Sequence, residues 1–372
     1  MAGELRFQIG RLILTLLKNK LERVVFMSKR KRKRNSIKVQ AHQKLKSLLA
    51  IGDSKCKDKK EERDKEADIT SGKIYSYSSF ENYWKHIKYF VKWLEKEHPE
   101  CKNLDDAKKY AAVWLTERTN QTNKNGEKLS AWTIQLEAAA LNKLFGIKKD
   151  DLDRFQPPQR RKEDIKRSRG KKVNDIHFSE QKNAELVKFC KGCGFRRNVL
   201  EKLRGSDLME RKDVEETLKK AKEKQNQKMI KACEDALFTF PDKEFFIIHR
   251  QDKGGKTRIS PIVGPHTKEI VERMSYTPAD QRVWGFVSKA CDVHGYRSDY
   301  ATMLYKQYAR PIEQLDYKRK MLCADGKYRS EIYACRGDDT GKKLDRAAIH
   351  VISIALGHNR EDTAIASYVR NL

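Results

Sequence analysis

Apolar residues first fall into a regular pattern near Tyr75, where they recur at steps of three and four. This spacing predicts an amphipathic helix, and Pro99 is expected to end it because proline cannot continue a helical turn. Similar patterns predict helices from Leu104 to Arg118 and from Ser130 to Phe145. Residues 69–147 are therefore expected to form a small all-helical domain. The apolar face of the first helix consists of Phe80, Trp84, Ile87, Val91 and Leu94.

Helix and strand patterns mix in the second half of the chain. The runs "EFFIIH" and "RISPIV" are strand-like, and Gly254 and Gly255 between them predict the turn of an antiparallel hairpin. Residues 176–372 are therefore expected to form an α+β domain with a small antiparallel sheet. The predicted fold class is a two-domain, mainly α-helical protein.

The N-terminal segment lacks such a pattern. Residues 28–68 are mostly charged or polar and include six consecutive basic residues, Lys29 to Arg34. We expect residues 1–68 to be a basic extension that is disordered or becomes ordered on DNA. Within it, residues 1–26 are interpreted as an addition upstream of a second start at Met27.

Residues 148–175 join the two predicted domains. This segment is highly charged, contains Pro157 and Pro158, and shows no periodicity, which is typical of a linker. Its basic side chains, Arg160 and Arg161 among them, are predicted to follow a DNA phosphate backbone.

Charge changes this picture by indicating a partner. The 372-residue chain has 81 basic and 52 acidic residues, a formal net charge of +29. A charge of this sign and size, spread along the chain, favours a polyanion such as DNA.

No apolar run approaches the ~18 residues of a membrane helix, so we expect a soluble cytoplasmic protein. One CxxC pair, Cys190 and Cys193, is weak evidence for a metal, and reduced thiols are expected instead.

The first candidate for chemistry lies in "CGFRRNVLEKL". Gly192 and Gly194 are predicted to end one helix, which puts Arg196 at the entrance of the next. Free backbone N–H groups and the helix dipole favour an anion there, and a guanidinium can clamp a phosphate. Arginine at a helix start is common in a basic protein, so this stretch alone favours a structural interpretation.

The predicted hairpin turn carries lysines. Lys253 and Lys256 are expected on a tight exposed turn, from which a lysine could reach a DNA groove or a leaving oxygen. Lys256 and Arg258, which follows it on the second strand, are predicted DNA contacts. Taken alone, a solvated turn lysine is the more common outcome.

A third stretch, "VHGYRSDYA", contains His294 and Arg297. Residues three apart share a helix face, so both could act on one phosphate as a proton-transfer group and a charge clamp. A single His-x-x-Arg pair is frequent by chance.

The chain ends in "ALGHNREDTAIASYVRNL". Gly357 is predicted to cap a helix, His358 follows it, and Asp362 or Thr363 could begin a short helix that carries Tyr368. This break would place the histidine and the tyrosine on separate elements. The apolar face of the preceding helix consists of Leu344, Ala348, Ile352 and Ala355.

Combined, these stretches supply a complete set of groups for phosphoryl transfer without a metal or other cofactor. The tyrosine would attack phosphorus, and the two arginines would neutralise the non-bridging oxygens. The lysine would protonate the departing 5′ oxygen, while the histidines would handle protons and hydrogen bonds. The six candidate catalytic residues are Arg196, Lys253, His294, Arg297, His358 and Tyr368.

In their order and local patterns these residues resemble the tyrosine recombinases, or phage-integrase family. The resemblance covers about residues 70–372. It implies that the helical unit 69–147 is a core-binding domain and that 176–372 is the catalytic domain. The matching stretches are "GFRRNVLEKLRGSD", "KGGKTRISPIV", "HGYRSDYAT" and "LGHNREDTAIASY".

The chain departs from the family pattern in three ways. Many members carry a carboxylate three residues after the first arginine, where this chain has Val199. The sequence continues for only four residues after Tyr368, whereas many members have a longer tail that docks on a neighbouring subunit. The stretch "KYRSEIYACR" imitates the third box but has no histidine before Arg329, so it is interpreted as an insertion.

The resemblance implies site-specific recombination of double-stranded DNA through a 3′-phosphotyrosine link. It further implies integration and excision of a mobile element by a homo-tetramer on DNA, with a DNA-bending accessory protein as a further partner. One alternative is a type IB topoisomerase, which uses the same chemistry. The other is a non-catalytic DNA-binding regulator with the same fold.

Overall fold

A computed structural model of the chain shows two compact units, residues 1–160 and 161–372. The division falls inside the segment that the sequence predicts as a linker. The residues that the structure describes are 36–64, 72–152, 154–161, 164, 178–252, 256–323, 326–358 and 361–369.

The first unit is helical in its described part. Its longest helix buries Ile87, Val91 and Leu94. These residues of the predicted apolar face therefore point towards the core. Ser130 caps the last helix by accepting a hydrogen bond from the Thr133 backbone at 3.2 Å. The helices are α1 (Ile37–Ser47), α2 (Lys55–Asp64), α3 (Tyr77–Glu97), α4 (Leu104–Ala107), α5 (Ala111–Asn120) and α6 (Ala131–Phe145), with a 3₁₀ turn at Lys108–Tyr110.

Helix α1 corrects the expectation that residues 28–68 do not pack. Ile37, Ala41 and Leu45 are buried in the core of the helical unit. They are four residues apart, so they form one narrow apolar face on an otherwise polar helix. The high average charge of the segment hid this stripe. Residues 37–47 therefore belong to the helical unit, although its predicted start was residue 69.

The second unit combines helices with small antiparallel sheets. The chain is mainly helical, as predicted. Its helices are α7 (Ala184–Cys193), α8 (Arg197–Leu200), α9 (Arg211–Glu223), α10 (Gln227–Thr239), α11 (Thr267–Ser275), α12 (Val293–Tyr308), α13 (Arg346–Leu356) and α14 (Glu361–Ser367), with 3₁₀ turns at Gly205–Asp207, Ile312–Gln314 and Gly337–Asp339. Its strands are β1 (Leu208–Glu210), β2 (Phe245–Asp252), β3 (Lys256–Pro261), β4 (Lys320–Leu322), β5 (Tyr328–Ser330), β6 (Ile332–Ala334) and β7 (Lys343–Asp345).

The predicted hairpin is present as strands β2 and β3. They pair antiparallel, with Ile248 opposite Ile259 and His249 opposite Arg258, and β1 adds a third strand beside β2. The inner face of this sheet joins the hydrophobic core.

Helices α12 and α13 lie at the centre of the second unit. Tyr300, Ala301 and Leu304 of α12 are fully buried, as are Ile349 and Ile352 of α13. Two small two-stranded sheets, β4–β5 and β6–β7, lie between these helices in sequence. Leu344, expected on the helix, belongs to strand β7 instead. In the described residues, no helix is both long and apolar enough to cross a bilayer.

Candidate active site

The first arginine box lies at a sharp turn between two helices. Gly194 ends α7 with a φ of 59°, in the left-handed region. A Cβ at this position would also lie only 2.4 Å from the ring of Tyr300, so both backbone and packing require glycine. Arg196 then occupies the N-cap position of α8. Gly194 ends α7 as predicted, whereas Gly192 lies inside that helix. Helix α8 has only four residues, so a helix dipole is not the source of an anion site here.

Arg297 connects this turn to the end of α13. It lies on α12, is only 1% exposed, and donates hydrogen bonds to the backbone carbonyls of Gly194 and Leu356, the latter at 2.6 Å. A buried guanidinium needs such partners because its charge is costly to desolvate. Arg297 thereby brings together three stretches that are far apart in sequence.

Tyr368 lies directly beyond helix α14 and is 7% exposed. Its ring centroid is 4.9 Å from that of His294 and 5.2 Å from that of His358, and the His358 ring is nearly parallel to it. The guanidinium carbon of Arg297 lies 5.0 Å from the same ring. Three of the other five predicted catalytic residues therefore lie around Tyr368.

Ser298 holds the backbone of that tyrosine. Its hydroxyl donates a hydrogen bond of 2.7 Å to the carbonyl of Tyr368, and the serine is buried. Helix α12 thus contributes three successive functions: His294 beside the tyrosine ring, Arg297 next to it, and Ser298 on its main chain. Nothing near Ser298 in the sequence indicates this role, because a serine inside a helix can also simply face solvent.

The C-terminal end of α13 gathers cations. Gly357 ends the helix with a φ of 67°, as predicted. Arg258 donates to the carbonyl of Ala355, Arg297 to that of Leu356, and Lys256 to that of Gly357 at 3.5 Å. The last carbonyls of a helix lack partners within it and carry a partial negative charge, so cations are stabilised there.

Electrostatics at this cluster are dominated by positive charge. Burial, together with the charges of neighbouring Arg258 and Arg196, lowers the pKa of Arg297 to about 9. Burial, followed by the charges of Arg297, Arg196 and Arg258, lowers the pKa of His358 to about 3. His358 is therefore neutral near pH 7, whereas Arg297 remains a cation. An anion such as a phosphodiester, bound here, would reduce the repulsion among these positive charges.

The other predicted residues are placed as follows. Lys253 lies outside the described residues. Arg160 is exposed, with its guanidinium 5.5 Å from the ring of Trp132, and Arg161 is exposed too. Lys256 is half-buried. DNA contacts by these residues stay predictions.

Arg258, a predicted DNA contact, lies in the interior of the second unit. It is only 6% exposed, and its guanidinium bonds the Ala355 carbonyl and, at 2.5 Å, the Ser260 hydroxyl. Its observed role is to hold the end of α13. Direct DNA contact by Arg258 stays a prediction that these interior bonds do not favour.

Sequence reasoning also missed His249, a histidine inside the apolar strand β2. It is buried, and its ring lies 4.7 Å from that of Phe195, beside the first arginine box. A histidine within the run "FFIIHR" was the available signal, since a buried strand position normally takes an apolar residue.

Arg329, interpreted as part of an insertion, lies in strand β5 of the segment between α12 and α13.

Comparison of the sequence with models of known protein families and with curated proteins gives no match.

Proposed function

We propose that this chain is a site-specific DNA recombinase that cuts and rejoins DNA through a 3′-phosphotyrosine intermediate. The observation that carries the proposal is the convergence on Tyr368. Its ring lies about 5 Å from His294, His358 and Arg297, which come from two separate stretches of sequence. The fold therefore brings residues of α12 and of the segment after α13 together at one tyrosine.

The reaction would run as an in-line displacement at phosphorus. The Tyr368 oxygen forms a bond to phosphorus while the bond from phosphorus to the 5′ oxygen breaks. Arg196 and Arg297 neutralise the non-bridging oxygens, which gain charge in the transition state. Lys253 gives a proton to the departing 5′ oxygen, as in the sequence-based assignment.

The neutral state of His358 fits a role as acceptor. An imidazole whose pKa is lowered to about 3 by burial and by neighbouring arginines carries no charge at neutral pH, so it can accept a hydrogen bond of the tyrosine hydroxyl, while the proton released on attack passes to solvent. Attack by a free 5′ hydroxyl on the phosphotyrosine reverses the steps. The link conserves the energy of the phosphodiester, so rejoining requires no ATP.

The biological role proposed is integration and excision of a mobile element. The helical unit and the second unit would act as core-binding and catalytic domains. Exchange of strands between two duplexes requires four cleavages, which implies a homo-tetramer on DNA. A DNA-bending accessory protein and a cytoplasmic, nucleoid-associated location belong to the same proposal.

A suicide substrate tests the chemistry. Inverted repeats in DNA flanking the gene would identify the core site, and a nick placed near the cleavage position would let the short 5′ fragment diffuse away. The wild-type protein is expected to remain on the 3′ end as a covalent band on a denaturing gel. Peptide mass mapping should place the link on Tyr368.

The matched pair of variants is Tyr368→Phe and Tyr308→Phe. Each removes one hydroxyl, but that of Tyr308 donates to Asp242 at 2.6 Å, away from the cluster. Tyr368→Phe should lose the covalent band while retaining DNA affinity, and Tyr308→Phe should keep both. A band that persists in Tyr368→Phe, or a trapped peptide containing Tyr305 or Tyr308, would refute the assignment. Relaxation of supercoils by a monomer without strand exchange would instead indicate the topoisomerase alternative.

A further inference from the structure

His249 is an unusual residue for the interior of a sheet. It lies on β2, is 1% exposed, and neither of its ring nitrogens has a hydrogen-bond partner among the described residues. Buried polar atoms are normally paired, because an unpaired donor or acceptor loses its hydration without compensation. An apolar side chain of similar size would therefore stabilise this position better than histidine does.

The surroundings of His249 place it at the candidate active site. In the strand pairing it lies directly opposite Arg258, so both side chains project from the same face of the sheet. Its ring packs at 4.7 Å on Phe195, the residue immediately before Arg196. His249 thus lies between the strand that holds α13 and the first arginine box.

All the charges that act on this imidazole are positive. Burial and then the charges of Arg258, Arg297 and Arg196 hold the pKa of His249 well below its usual range. The ring is therefore neutral at physiological pH, with one N–H and one bare nitrogen. Among guanidinium groups, the bare nitrogen is the useful one because it can accept a hydrogen bond.

We propose that His249 is a positioning residue whose bare ring nitrogen accepts an N–H of Arg196 when a phosphodiester occupies the site. Arg196 is one of the three arginines whose charges act on this imidazole. Arg196 follows Phe195, on which the His249 ring packs, and is therefore the arginine assigned to it. This inference rests on the proposed function.

Imidazole suits this task better than a carboxylate. A carboxylate would also orient a guanidinium, but it would cancel one of the positive charges that stabilise the transition state. A neutral imidazole supplies an acceptor and leaves the net charge of the cluster unchanged. His249 would therefore orient the guanidinium of Arg196 without cancelling its positive charge.

Three variants separate this role from simple filling of the core. His249→Leu removes the acceptor, His249→Gln keeps a neutral acceptor, and His249→Glu provides an acceptor with a negative charge. The measurements are the rate of covalent-complex formation at saturating DNA, the DNA dissociation constant, and the thermal midpoint of unfolding. His249→Met serves as a second apolar variant.

His249→Leu is expected to fold with an equal or higher thermal midpoint and to bind DNA with unchanged affinity. Its cleavage rate should fall by about ten- to a hundredfold, because a misplaced catalytic group costs rates of that order. His249→Gln should cleave at least about fivefold faster than the leucine variant, whereas His249→Glu should not recover the rate. In an Arg196→Ala background, His249→Leu should cause no further loss, since the two residues act as a unit.

Equal cleavage rates for the leucine and glutamine variants would overturn the inference, as would fully additive losses in the Arg196→Ala background. A lower thermal midpoint for both apolar variants, in step with lost cleavage, would show a purely structural role and would also overturn it. These outcomes leave the wild-type covalent complex intact. Failure of the proposed function would instead appear as a wild-type protein that forms no complex, and this inference would fall with it.

Discussion

The histidine beside the candidate nucleophile should make the protein less stable in acid. The pKa of His358 is lowered to about 3 by burial first, and then by Arg297, Arg196 and Arg258. In the unfolded chain a histidine titrates near 6.5. Between these two values the unfolded state binds a proton that the folded state does not bind. The free energy of unfolding must therefore decrease as the pH falls through this window.

The loss of unfolding free energy depends on how many pH units are crossed below the pKa of the histidine in the unfolded chain. Each pH unit below about 6.5 costs about 1.4 kcal/mol, so one such histidine removes about 2 kcal/mol of stability by about pH 5. Partial exposure of the His358 ring makes this an upper value, because solvent screens part of the effect. His358→Gln removes the titrating group and keeps a side chain that forms hydrogen bonds.

Urea denaturation of the wild type and of His358→Gln at about pH 7.5 and about pH 5 measures the effect. The difference in unfolding free energy between the two proteins should change by up to about 2 kcal/mol in favour of the variant at the lower pH. His266→Gln is the control, since His266 lies outside the cluster at the start of α11 and bonds Glu269. Wild-type and His358→Gln curves that stay parallel across this pH range would refute the buried, neutral histidine and the cationic cluster inferred from it.

Two further predictions concern DNA. Arg196→Ala should slow covalent-complex formation by about 10²- to 10³-fold with DNA affinity largely kept. Arg297→Ala should in addition lower the thermal midpoint, because it leaves the carbonyls of Gly194 and Leu356 without a buried partner; cleavage at a near-normal rate would remove either arginine from the site. Deleting residues 1–35, upstream of the packed helix α1, should weaken DNA binding and flatten its log–log salt dependence by about one unit per lost phosphate contact. A changed site preference with an unchanged salt slope would contradict that role.

Local signals were enough to predict part of the site. A glycine that ends a helix is visible in sequence, so the turn at Gly194 and the cap at Gly357 were both found. The three-residue spacing of His294 and Arg297 placed both correctly on one helix. These features depend on a few neighbouring residues.

Features that depend on distant packing were not visible in the sequence. Arg258 was predicted as a DNA contact, and nothing near it in sequence shows that it bonds to the end of α13. His249 is exceptional only once its burial and its arginine neighbours are known. Helix α1 was overlooked because three apolar residues were averaged into a charged segment.

The end of α13 has a consequence for how such a protein could change by insertion and deletion. Three successive carbonyls, from Ala355 to Gly357, each meet a different cation. One residue added inside α13 would rotate that end by about 100° and advance it by about 1.5 Å, so all three carbonyls would miss their partners at once. The turn between strands β6 and β7 is mostly exposed, so a longer or shorter turn would disturb few contacts. Length variation in this lineage should therefore accumulate in that turn, while the length of α13 stays fixed.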